Sequence, residues 1–143
     1  MDANFAPLRL LSLLKHPYCA GGMNPIQFRH FVDQIELVAL RGPRPGDGLS
    51  AVVAVLDDAD LRHFFETHVI ANLTPLIDSW QAPNPTLASL SDGLGEAAER
   101  LCATVMDSSG DGADRGAGAI ELWKGPDGMA ASDLFRSLAA DGR

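Results

Sequence analysis

Asp57-Asp58-Ala59-Asp60-Leu61-Arg62-His63-Phe64-Phe65-Glu66-Thr67-His68-Val69-Ile70-Ala71-Asn72-Leu73-Thr74-Pro75-Leu76-Ile77-Asp78-Ser79-Trp80 decides the fold. Leu61, Phe64, Phe65, Val69, Leu73, Leu76, Ile77 and Trp80 recur at steps of three and four, which gathers them on one side of an α-helix about six turns long. The acidic pair Asp57-Asp58 supplies a cap for its first amides. Pro75 lacks an N–H and its ring crowds the preceding turn, so a kink or break is expected there. Gln81 to Pro85 (QAPNP) ends the element. A second amphipathic helix follows, with Leu87, Leu90, Leu94, Ala97, Leu101 and Val105 on one face and enough small residues to pack closely on the first.

Upstream, Phe5 to Lys15 repeats leucine at helical spacing and stops before Pro17, which disfavours helix in the residue preceding it. After a turn at Tyr18 to Met23, Asn24-Pro25-Ile26-Gln27 carries start signals: a capping side chain, proline at the first helical position and glutamine to close a capping box. Phe28, Phe31, Ile35, Val38 and Leu40 lie roughly on one face, so this helix should run to about Arg41. Gly42 to Gly48 (GPRPGDG) breaks both regular periodicities. Leu49 to Leu56 suits a buried strand by its valines, but no strand partner is in sight, and it is read as a short helix. Downstream, Asp107 to Gly118 is a low-complexity flexible linker. Ala119 to Lys124 and Met129 to Ala140 are short helices separated by Gly-Pro-Asp-Gly. The expected fold is all-α, an irregular bundle of five to seven helices with the two long ones at its centre, in a single domain over residues 1–143.

The chain has 143 residues and a net charge of -8, which on average repels phosphate and argues against a generic basic nucleic-acid surface. No apolar run is long enough to span a bilayer, and the first residues lack the pattern of a signal peptide, so a cytoplasmic location is expected. Cys19 and Cys102 form no CxxC and are read as reduced thiols in or near the core. No Walker loop and no GxGxxG after a strand occurs. Asp107, Ser109, Asp111 and Gly112 imitate half of a calcium loop, but its twelfth position is Gly118 where a glutamate is needed. His63 and His68, five apart, do not share a helical face as zinc ligands must. No cofactor is therefore expected in this chain. Trp80 and Trp123 are read as core anchors. Arg41 and Arg44 stand out as the candidate contact residues. A cation after a helix carboxyl end is favourable there, and a stiff proline loop also presents both guanidinium groups to a phosphate or a partner carboxylate.

Two stretches, LLSLLKHPYCAGGM and QIELVALRGPRPGDGL, together resemble an interior segment of the AddB subunit of the AddAB double-strand-break repair helicase–nuclease. Leu14, Lys15, His16 and Pro17 match a Leu-Lys-His-Pro sequence at the end of a leucine-rich helix. Glu36, Leu40, Arg41, Gly42, Pro43, Arg44 and Pro45 match a Glu-x-x-x-Leu-Arg-Gly-Pro-Arg-Pro stretch. Leu122-Trp123-Lys124-Gly125 and Asp127-Gly128 are similar to a later Leu-Trp-x-Gly…Gly stretch. About a third of the chain carries the close match. The resemblance implies a helical accessory domain, excised from or retained out of a much larger subunit, with an AddA-like helicase subunit and DNA as partners and no membrane. The family's nuclease motif and iron–sulfur cysteines are absent from this chain, so no residue of those kinds carries over. The alternative is a stand-alone helical adaptor that binds another protein through an apolar groove.

Overall fold

The computed structural model describes residues 5–40, 46, 48–105 and 117–141. Among them the chain is all-α, with a single isolated bridge between Met23 and Thr104 as its only extended pairing. The helices are α1 (Pro7–Leu14), α2 (Pro25–Leu40), α3 (Leu49–Val55), α4 (Ala59–Phe64), α5 (Ala71–Gln81), α6 (Leu87–Cys102), α7 (Ala117–Leu122) and α8 (Gly125–Asp141). A π-helical turn, Phe65–Ile70, joins α4 to α5 without interruption. The three form one rod, which leaves seven helices among the described residues, at the top of the expected range.

Local sequence accounts for most of the boundaries. Proline at the first turn starts α1, where its missing N–H has no partner to lose. Asn24 accepts from the amide of Ile26 at 2.9 Å and opens α2. Asp58 opens α4 by accepting from Asp60 at 2.8 Å and Leu61 at 3.1 Å. Thr86 and Ser89 exchange side-chain and backbone bonds in a capping box at the start of α6. Leu49 to Leu56 is helical over Leu49–Val55, as its lack of strand partners implied.

Three boundaries differ from expectation. Of the kink or break expected at Pro75, the break does not occur, because Pro75 lies inside α5. Proline leaves the carbonyl of Ala71 without its usual donor, and the Arg100 guanidinium approaches that oxygen from α6 at 3.5 Å. The Gly-Pro-Asp-Gly stretch is not a separator, because α8 begins at Gly125. Gly125 takes a φ of 74° at the corner, and Pro126 then occupies the first turn where proline is tolerated. The expected linker is shorter at its end: Ala117 and Gly118 belong to α7. Residues 107–116 of that linker, and with them Asp107, Ser109, Asp111 and Gly112, lie outside the described residues.

The core is one apolar cluster. Leu10 and Leu14 of α1, Phe28, Val32, Ile35 and Ala39 of α2, Leu49 and Val52 of α3, and Leu61, Phe64, Phe65, Val69 and Leu73 of the long rod meet there with Leu56 and Leu101. Burial of such side chains is the main favourable term, at about 25 cal/mol per Å² of apolar area. Phe64 is central to it. Its ring stacks on Phe31 with centroids 4.7 Å apart and tilts against Phe28 at 5.4 Å.

The rod and α6 form the most extensive helix pair, and small residues set their separation. A Cβ on Gly93 would lie 2.6 Å from the carbonyl oxygen of Pro75 and 2.9 Å from the Cβ of Ser79. Gly93→Ala is therefore expected to destabilise by about 1–2 kcal/mol, the overlap outweighing the better helix propensity of alanine. A urea midpoint unchanged or raised would show that the helices do not approach this closely. Helices α7 and α8 pack on α6 and add no residue to the core cluster.

Candidate functional site

The two stretches singled out by their resemblance meet in space. Lys15, the residue that closes α1, reaches across to α2. Its ammonium donates to the Glu36 carboxylate, and Asp33 lies 3.4 Å away. The bond to Glu36 raises the Lys15 pKa, against a smaller opposing effect of lost hydration. All three groups are solvent-exposed, so the cluster fixes register more than it adds stability. Lys15 thus has a partner on a neighbouring helix in addition to its place at a helix end. Beside it, the His16 ring accepts from the amide of Tyr18 at 3.3 Å. Arg41 and Arg44, the candidate contact residues, lie outside the described residues, just beyond the end of α2 at Leu40.

The third resembling stretch builds the α7–α8 corner. The Trp123 indole donates to Glu99 of α6 at 2.8 Å and packs edge-on to Phe135 at 5.8 Å. Gly128 fits beneath this corner, where a Cβ would lie 2.5 Å from the backbone of Trp123. Trp123 is half-buried and anchors the α7–α8 corner to α6, outside the core cluster in which it was expected. Trp80, the other expected anchor, is 66% exposed. The core ends short of the last turn of α5, so the stripe that includes Trp80 runs on into solvent.

The turn between α1 and α2 is the most densely connected loop. The amides of Ala20 and Gly21 both donate to the carbonyl of Leu101, at 2.9 and 2.8 Å, and Gly22 donates to Ala103 at 2.8 Å. These bonds satisfy the carboxyl end of α6, whose last carbonyls have no partner within the helix. The carbonyl of Gly21 in turn accepts from the His68 Nδ1 at 2.9 Å and from the Asn72 amide at 3.1 Å. A carbonyl can only accept, so Nδ1 of His68 carries a proton. The π-turn therefore aims His68, and α5 aims Asn72, at one backbone oxygen. Sequence reading weighed His68 as a zinc ligand with His63 and set that role aside. Its carbonyl partner 47 residues away left no trace in local spacing.

Cys19 and Cys102 flank this junction as unpaired, buried thiols. Burial pushes the Cys19 thiol up to about 12, helped by the nearby Cys102, and burial raises Cys102 too. Both are neutral thiols at neutral pH rather than nucleophilic thiolates. Because the folded value for Cys19 exceeds the unfolded one of 9.0, the fold holds its proton more tightly. That stability is intact below pH 9.0 and is lost as pH rises towards 12. Wild-type stability to urea is expected to fall more steeply than that of Cys19→Ala between about pH 8 and about pH 11; parallel curves would contradict the burial of this thiol.

Among the described residues no three His, Cys, Asp or Glu side chains converge as a metal site, and no buried side-chain polar atom lacks a partner. No helix among them is long and apolar enough to cross a membrane. What the junctions do is hold helices in register. No family model, no curated protein and no solved structure matches the chain.

Proposed function

We propose that the chain is a non-catalytic helical scaffold domain of an AddB-like double-strand-break repair subunit, making contacts with an AddA-like partner subunit or DNA. The observation that supports this reading is the pairing of Lys15 with Glu36, which joins the two resembling stretches into one corner. The helix that carries Glu36 ends at Leu40, and Arg41 and Arg44 follow it in the sequence. In this reading Lys15 and Glu36 fix the direction in which α2 leaves the bundle, and the two arginines meet a phosphate or a carboxylate beyond it.

Arg41→Ala combined with Arg44→Ala, placed in the full assembly, is expected to weaken DNA or partner-subunit binding by about tenfold, the scale of one or two lost charge-assisted contacts. Unchanged binding and unwinding would leave the arginines a purely structural role. The size of the native protein tests the reading as a whole. An antibody against this domain should detect a band far larger than 15.2 kDa in a lysate of the source cells; a single band at that size would replace the repair role with that of a stand-alone adaptor.

A further inference from the structure

Cys19 and Cys102, the only cysteines of the chain, are far apart in sequence and meet where the 20–22 turn docks on α6. The peptide that follows Cys19 donates, through the Ala20 amide, to the Leu101 carbonyl of the peptide that precedes Cys102, at 2.9 Å. Standard peptide dimensions then hold the two Cα atoms within about 8 Å of each other. A disulfide spans about 4.4–6.8 Å between them, so at most a small adjustment brings the sulfurs into bonding range. Both side chains are buried, and Cys102 is near enough that its charge would disfavour a thiolate at Cys19. The adjustment falls on backbone that can make it. The stretch between α1 and α2, which holds Cys19, belongs to no helix, and Gly21 and Gly22 follow there at positive φ.

We propose that Cys19 and Cys102 are a redox-modification site, closed to an intrachain disulfide by exchange with a low-molecular-weight disulfide when the 20–22 turn lifts, and reopened by thiols. One cysteine, as its thiolate, attacks a sulfur of the small disulfide. That S–S bond breaks, a mixed disulfide forms and one small thiolate leaves. The second cysteine attacks the protein sulfur of the mixed disulfide, the protein S–S bond forms and the second small thiolate leaves. The two cysteine protons end on the two small thiols, so the small disulfide is reduced as the cysteines are oxidised. While the turn is docked, burial keeps both sulfurs protonated and out of reach, which makes the turn the gate. Once formed, the bond ties the turn to the carboxyl end of α6 and closes a loop over most of the described chain, which stabilises the docked state. The oxidised protein is the clamped form, and the reduced protein is the one whose turn can leave. The inference uses this junction alone and holds whether or not the chain is part of a repair subunit.

Reduced protein incubated with oxidised glutathione is the direct test, followed by mass spectrometry after the remaining thiols are blocked. The expected product is a monomer two hydrogens lighter with no free thiol. Dithiothreitol should reverse it, and it should unfold at a higher urea concentration than the reduced form. Gly22→Ala adds a Cβ with nothing within 4 Å, so the variant folds while its left-handed backbone favours the lifted turn. It should form the disulfide about tenfold faster than wild type. Gly93→Ala, which loosens α5 from α6 away from the turn, should leave the rate near that of wild type. The proposal is overturned if both thiols persist, if the product stops at glutathione adducts or is a disulfide-linked dimer, or if the oxidised form unfolds at lower urea. It is also overturned by equal acceleration in Gly22→Ala and Gly93→Ala, which would place the reaction in the unfolded chain.

Discussion

Phe65→Ala is expected to destabilise the fold by about 3–5 kcal/mol, the range for removing a fully buried aromatic side chain. Phe65 is 0% exposed and begins the π-turn. It borders a small apolar gap of about 20 Å³ together with Leu10, Leu14, Ile35, Ala39 and Val52. Truncation merges that gap with the volume of the lost ring. The lining comes from four separate elements, so collapse is hindered and the effect belongs in the upper part of the range. Total stabilities of domains are about 5–15 kcal/mol, so the variant should unfold at a much lower urea concentration. A loss below about 1 kcal/mol would mean that the walls close over the space. The cavity is apolar and should stay dry.

Gly21→Ala is expected to cost about 3 kcal/mol. Part is conformational: Gly21 has a φ of 57°, a left-handed geometry that costs other residues about 1–2 kcal/mol. The remainder is overlap, because a Cβ would lie 2.6 Å from the Phe28 ring and 2.9 Å from the carbonyl oxygen of His68. Gly22 separates the two contributions. It has a φ of 80° with nothing within 4 Å of an added Cβ, so Gly22→Ala should carry the conformational part alone. Thermal unfolding of the pair measures the difference, and equal losses would refute the close approach of Gly21 to the π-turn.

The sequence was most legible where a pattern is local. The stripe from Leu61 to Leu73, the capping aspartate and the helical state of Leu49 to Val55 follow from spacing and the nature of the neighbours. Periodicity identifies a face but not the length of its cover. Trp80, Leu87, Leu94 and Val38 were all placed on apolar faces, yet each is more than 40% exposed, because no element among the described residues extends over it. The π-turn was hidden for another reason: one extra residue in a turn hardly disturbs a pattern of threes and fours. The carbonyl of Ala71 that Pro75 leaves free is approached by Arg100, a long-range donor with no local signal. Lys15 and Glu36 were both noted as residues of resembling stretches, but their pairing needs the packing of α1 on α2 and cannot be read from either stretch. Arg41 and Arg44 lie outside the described residues, so their role rests on the chemistry of the sequence.

The carboxyl end of α6 accepts its final hydrogen bonds from Ala20, Gly21 and Gly22, near the opposite end of the chain. This closure has a kinetic consequence. The hairpin of α5 and α6 joins neighbouring segments and pays little loop entropy as it forms, whereas docking the 20–22 turn must close most of the described chain into a ring. The order of assembly follows from that asymmetry: the hairpin nucleates, and the glycine turn arrives late. Substitutions at Gly21 should therefore accelerate unfolding while leaving the folding rate nearly unchanged, and those at Gly93 should slow folding itself.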